Sequence, residues 1–186
     1  MTNRLINVAE AGGTKPVRRS AESGASLVEA AVILLPFLAL FFALFDFGMA
    51  LFLKNTMQFA VRQGVRYAIT SQTATGLGQV ASIQSVVNTN SFGFLSYLAP
   101  GPPATTCAGT ACVTVSFYYQ DLSTSPSTLT LVTGAGSNAA GNVVQVSAAG
   151  LSYSWMIPLL RSSTPLGFSV SSADIMEAQP SGPPTL

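Results

Sequence analysis

From Leu27 to Leu53 the chain is almost continuously apolar, broken by Glu29, Pro36 and Asp46, and the sixteen residues from Ala30 to Phe45 carry no charge. With its flanks this run exceeds the about 20 residues that cross a hydrocarbon core. The pattern then becomes helical. Asn55, Gln58, Arg62 and Arg66 form one polar stripe, and Met57, Val61, Gly64 and Ala68 a second, apolar one on roughly the opposite side. One helix is expected from about Ser26 to about Thr70, about 65 Å at 1.5 Å per residue, half in lipid and half bracing a folded head. It should start near Ser23 or Ser26, since Ser26 with Glu29 three residues later has capping-box spacing. Phe59 falls on the polar side, either as an outlier or as a contact with another subunit.

Gly76 to Gly78 end this helix. A shorter amphipathic helix is predicted from Gln79 to about Asn88, with Val80, Ile83 and Val87 inward. Ala99 to Ala104, with Pro100, Pro102 and Pro103, is a turn-rich connector. The period then drops to two: Val113, Val115 and Phe117 alternate with polar neighbours as a half-buried strand, and Leu129 and Leu131 repeat the pattern. Gly134 to Gly141 reads as a loop. Val144 and Val146 lie on the opposite parity from Leu151, Tyr153 and Trp155, so Ala148-Ala149-Gly150 should hold a bulge. Phe168 and Val170 suggest a last short strand, Ala173 to Ala178 a helical turn, and the Pro-Ser-Gly-Pro-Pro end a frayed tail. The fold class is α+β, a long N-terminal helix on a small antiparallel sheet. The expected divisions are a basic leader (1–24), a transmembrane helix (25–53), its continuation (54–72) and an α+β head with a flexible tail (73–186).

Charge narrows the function. Charged residues are 8% of the 186, the net charge is +1 and histidine is absent. No face can gather the cations that phosphate contacts need, so nucleic acid is not an expected partner. The commonest general base and zinc ligand are missing. Gly134-Ala135-Gly136 lacks the rest of any nucleotide-loop fingerprint, and a Ser-Lys dyad would have to use Lys54 with nothing marking its serine. Neither catalysis nor a cofactor is expected. Tyr118-Tyr119, Tyr153 and Trp155 are either a ligand-binding surface or core. Cys107 and Cys112 flank four residues; in an oxidising compartment they are expected to close a local disulfide. They are too widely spaced for a redox Cys-x-x-Cys, and two sulfurs lack further soft ligands for a metal.

The junction before the span carries the sharpest signal. Arg4, Lys15, Arg18 and Arg19 lie in a leader without periodicity, and Gly24-Ala25-Ser26-Leu27-Val28-Glu29 follows. The basic leader favours a cytoplasmic N-terminus, although Lys54, Arg62 and Arg66 beyond the span weaken the asymmetry. Gly48-Met49-Ala50 loosely fits a conventional signal-peptide ending, which keeps that alternative open. The junction resembles the processing site of bacterial prepilins, where a peptidase cuts after glycine and glutamate becomes the fifth residue of the mature chain. Cleavage between Gly24 and Ala25 would put Glu29 there.

Added to Leu35-Pro36, Asp46-Phe47-Gly48, Asn55-Thr56-Met57-Gln58 and Arg62-Gln63-Gly64-Val65-Arg66-Tyr67-Ala68, the stretch from Gly24 to Ala68 resembles the TadE-like family of the tight-adherence (Flp) pilus system. Asp46 and Gln63 depart from that pattern, in which glutamate is usual. The resemblance implies a minor pseudopilin in the bacterial inner membrane, with its head outside the cytoplasm. It also implies a prepilin peptidase, sibling pseudopilins, the major pilin and the pilus platform as partners. The alternative is a single-pass, membrane-anchored binding or adhesion module outside any pilus.

Three residues in the apolar run have more than one reading. Glu29 either pairs with the new α-amino group of an adjacent subunit, caps the helix, or reaches the membrane surface. Pro36 is either a tolerated kink or an aid to repacking during extraction from the bilayer. Asp46, expected at the outer interface, caps the membrane section or pairs with a partner.

Overall fold

A computed structural model describes residues 20–98, 112–123, 126–156, 164–180 and 182–186. Helix α1 runs from Ser20 to Ile69 with Pro36 inside it. It therefore begins before Ser26, which lies in its second turn and is not its N-cap; the capping-box expectation fails. Helices α2 (Gln79–Asn90) and α3 (Phe94–Leu98) follow, then strands β1 (Val113–Asp121), β2 (Thr128–Val132), β3 (Val143–Tyr153) and β4 (Leu166–Ile175). The strands form one antiparallel sheet in the order β2-β1-β3-β4.

The chain divides into two units, residues 1–41 and 42–186. In the first, the described part of α1 exposes its apolar side chains: Leu27, Val32, Ile33, Leu35, Phe37 and Leu40 are all open. An apolar helix exposed in this way is suited to burial in lipid or against partner helices. By length and composition α1 is the one helix among the described residues suited to cross a membrane, and it lies near the N-terminus.

In the second unit α1 becomes the spine of a core. Asp46, Ala50, Leu53, Met57, Ala60, Gly64 and Ala68 are buried, steps of four and three that keep one stripe inward. Ala50 and Leu53 belong by sequence to the expected span but are buried in the head. Hydropathy cannot separate a side chain facing lipid from one facing a protein core. Ile83 and Val87 of α2, Leu95 and Leu98 of α3, and Val113, Phe117, Val144, Val146, Ala148, Leu151, Tyr153 and Val170 of the sheet complete the core. Gly64 is a close approach of α1 to α2 and the sheet. A Cβ there would lie 2.5 Å from Val87 Cγ2 and 3.6 Å from both Ile83 Cγ2 and Val146 Cγ1.

The expected bulge is present. Ala148 pairs with Val170 and Leu151 with Phe168, so the β3–β4 register shifts between them, with Gly150 at φ +70°. The extra residue turns both Ala148 and Leu151 inward. Two strand expectations are corrected. Leu131 pairs with Tyr118, not with Phe117; residues directly opposite share a face, so Leu129 and Leu131 point away from the core and are exposed. Ala173 to Ile175 form no helical turn, because they pair with Gln145 to Val143 as the end of β4. The C-terminal residues also differ from a frayed tail. Gln79 N donates to Thr185 O at 2.8 Å, and Asn138 Nδ2 donates to Pro184 O at 2.8 Å.

Candidate functional site

Gly24, Ala25 and Glu29 all lie on α1 and are exposed, as is Pro36. The proposed cleavage point and the carboxylate thus stand open on one helix, reachable by an external partner. Phe59 is 45% exposed and stays outside the core. Cys112 is buried and disulfide-bonded; Cys107 lies outside the described residues, as do the leader cations Arg4, Lys15, Arg18 and Arg19.

Asp46 is held within the head. It is 1% exposed, and its Oδ1 accepts hydrogen bonds from Tyr153 Oη at 3.0 Å and from Met156 N at 3.1 Å. These two donors come from the head's own β3 and the residues just after it. Burial of a carboxylate is expensive unless donors replace its water, and β3 and the segment just after it supply one each. Tyr153 is fully buried, and its ring meets Trp155 edge-on at a centroid distance of 5.7 Å. Burial first, then the hydrogen bond to Asp46 and the charges of Asp46 and Tyr97, push the Tyr153 hydroxyl up to about 12. The sequence held half of this signal, since strand alternation put Tyr153 on one face with Leu151, as core or as a ligand-binding surface. Nothing in it linked that hydroxyl to a carboxylate on another element.

A second polar junction was not foreseen. Buried Gln79 opens α2, donates from Nε2 to Ala68 O at 3.1 Å, and accepts from Asn138 Nδ2. It joins the end of α1, the start of α2 and the loop before β3. Gln179 Nε2 donates to Thr70 O, and Glu177 N donates to Ile69 O at 3.2 Å, so the segment after β4 closes the same end. Asn138 also lines a cavity of about 60 Å³ with Ser71, Glu177 and Gln179. At β1's exit the Ser123 hydroxyl and N–H both donate to Asp121 Oδ1, and these bonds lower the Asp121 carboxyl below its ordinary range.

The aromatic pairs expected as surface or core divide between the two. Tyr153 and Trp155 pack with the core, while Tyr119 is open. Tyr118 sits in a row that crosses the sheet's outer face: Leu131, Tyr118, Val143 and Ile175 are successive cross-strand partners. Among the described residues no group of three or more His, Cys, Asp or Glu side chains could hold a metal ion.

No curated protein and no solved structure matches this chain. Residues 24–66 match the family model described as TadE-like protein. That match opens on Gly24, spans the exposed apolar helix and runs into the buried stripe of the head, so from Gly24 to Arg66 the chain is similar to TadE-like proteins.

Proposed function

We propose that this protein is a minor pseudopilin, a structural subunit that helps assemble a tight-adherence pilus after a prepilin peptidase removes residues 1–24. The observation that carries this reading is the family match itself. It begins at Gly24 and contains Glu29 and the apolar run in one segment, and family membership supports a place in the tight-adherence pilus system. The open setting of Gly24, Ala25 and Glu29 on α1 agrees with handling by a peptidase and by neighbouring subunits. In this reading the apolar helix anchors the precursor in the inner membrane and the head lies outside the cytoplasm. The partners are the peptidase, sibling pseudopilins, the major pilin and the inner-membrane platform.

The physical role of Glu29 follows from the cut. Cleavage bares an α-amino group of pKa about 8, largely cationic at neutral pH. A carboxylate one helical turn along its own chain is poorly placed to meet it, whereas the carboxylate of a helix alongside can, neutralising two charges in an apolar bundle and fixing register. The decisive experiment is the N-terminal residue and mass of the membrane-bound protein, with and without the peptidase. Ala25 as the first residue only when the peptidase is present supports the pilin reading. A retained leader in a strain with an active peptidase leaves only an anchored binding module.

A further inference from the structure

The head has two unlike ends, and α1 and β3 define them. Asp46 holds the end of β3 through Tyr153, while Ile69 receives Glu177 N, just past β4's end, where Ile175 pairs with Val143 at the start of β3. The two elements therefore run in opposite directions over the same length: about 35 Å of helix from Asp46 to Ile69 and about 35 Å of strand in β3. The Ile69 end carries charge, with Arg66 in the last turn of α1 and Asp174 and Glu177 beside the returning segment. The Asp46 end is different. Residues 91–98, 151–156 and 164–170 contain no Asp, Glu, Lys or Arg.

This end exposes large apolar and aromatic groups, with the buried Asp46 and the exposed Lys54 of α1 beside them. Phe47, Leu51 and Phe52 of α1 are 52%, 46% and 53% exposed, Tyr97 of α3 is 61% and Met156 is 56%. They belong to one neighbourhood. Phe52 meets Phe94 of α3 edge-on at 5.9 Å, Ser152 Oγ contacts Leu98 O at 3.5 Å, and Met156 N bonds Asp46.

We infer that this end of the head is seated in the headgroup layer of the bilayer. Counting from Leu27, about 30 Å of helix brings the chain to Asp46, the thickness of a hydrocarbon core. Phe47 to Phe52, and everything bonded at their level, then occupy the interfacial layer, where Trp and Tyr gather because one side of each is apolar and the other wet. The same placement explains why Asp46 is covered. A bare carboxylate at the lip of the hydrocarbon is costly, and Tyr153 and Met156 N–H shield this one. The inference requires α1 to span a bilayer; it does not require a pilus.

Trp155 is the single tryptophan and lies between Tyr153 and Met156, so it reports on this end without labelling. The full chain is reconstituted in phosphatidylcholine vesicles whose acyl chains carry bromine either close to the headgroup or close to the methyl ends. A companion chain carries Trp155→Phe and Leu129→Trp, which moves the reporter to exposed β2 at the opposite end. The expected result is strong loss of Trp155 emission with shallow bromine, weak loss with deep bromine, and little loss from position 129 with either. Trp155 emission untouched by shallow bromine overturns the inference. Equal quenching at 155 and 129 also overturns it, because the head would then lie on the membrane without preference for this end. Neither result bears on whether the leader is cleaved.

Discussion

Tyr153 donates to Asp46 across 107 residues of sequence, a 3.0 Å hydrogen bond between a fully buried phenol and a buried carboxylate. It fastens the last residue of β3 to the α1 residue at which the core begins. Removing the acceptor leaves Tyr153 Oη and Met156 N–H without it in a dry site. Hydrogen bonds to charged groups are worth about 1.5–3 kcal/mol each in mutational series. Asp46→Ala should therefore destabilise the head by about 3 kcal/mol, and Tyr153→Phe, which keeps the ring, by about 1.5 kcal/mol. Denaturant unfolding of the full chain in detergent, followed by Trp155 emission, measures both.

The raised phenol pKa makes a pH signature. Unfolded, Tyr153 ionises near 10; folded, it ionises near 12. Between these values the folded state holds a proton that the unfolded state has lost, so stability falls as pH rises. The contribution is complete below pH 10 and gone above pH 12. Tyr153→Phe should be less stable at neutral pH yet lose less stability across that interval. The absorbance difference between wild type and Tyr153→Phe at phenolate wavelengths should titrate near the upper value. A midpoint at the ordinary tyrosine value would show that the hydroxyl is neither dry nor paired.

Gly64 tests the packing of α1 against α2. In a helix, alanine is favoured over glycine by about 1 kcal/mol. Here a new Cβ would stand 2.5 Å from the branched methyl of Val87, and overpacking of this kind costs typically about 1–3 kcal/mol. The overlap outweighs the propensity gain, so Gly64→Ala should be destabilising and Gly64→Val more so. Gly48 has nothing within 4 Å of its would-be Cβ, so Gly48→Ala should be neutral or mildly stabilising. Thermal unfolding of the three variants side by side ranks them.

Periodicity made much of this fold legible, and its failures share a cause. The α1 stripe through Met57, Val61, Gly64 and Ala68, the inward Ile83 and Val87 of α2, and the bulge before Leu151 all followed from local spacing. Leu129 and Leu131 misled because alternation says which residues share a face, not which face meets the core; that is fixed by pairing with β1. Ala173 to Ile175 have helix-compatible composition, but the ladder to β3 overrides propensity. Asp46 was expected at the outer interface as a cap or a partner contact; the donors that reach it lie more than a hundred residues away, beyond what local spacing shows. Gln79 and Asn138 are ordinary polar residues until the fold buries them together. The role proposed for Glu29 rests on its sequence neighbours, since its proposed partner is the end of another chain.

That proposed pairing separates processing from assembly. Glu29 is exposed on α1 and lies within the matched segment, five residues past Gly24, so the peptidase can reach the junction whatever side chain stands at 29. Glu29→Ala should therefore be trimmed to Ala25 as wild type is, but fail to co-purify with sibling subunits. Glu29→Gln keeps shape and hydrogen bonding without charge, and should fail in the same way if neutralisation of the amine is what matters. Glu29→Asp keeps the charge on a shorter stem and should recover part of the assembly. Mass spectrometry of the mature N-terminus and recovery of cross-linked subunit pairs from membranes read the two effects independently. Full assembly of both the Ala and the Gln variants would remove the salt link from the mechanism while leaving cleavage intact.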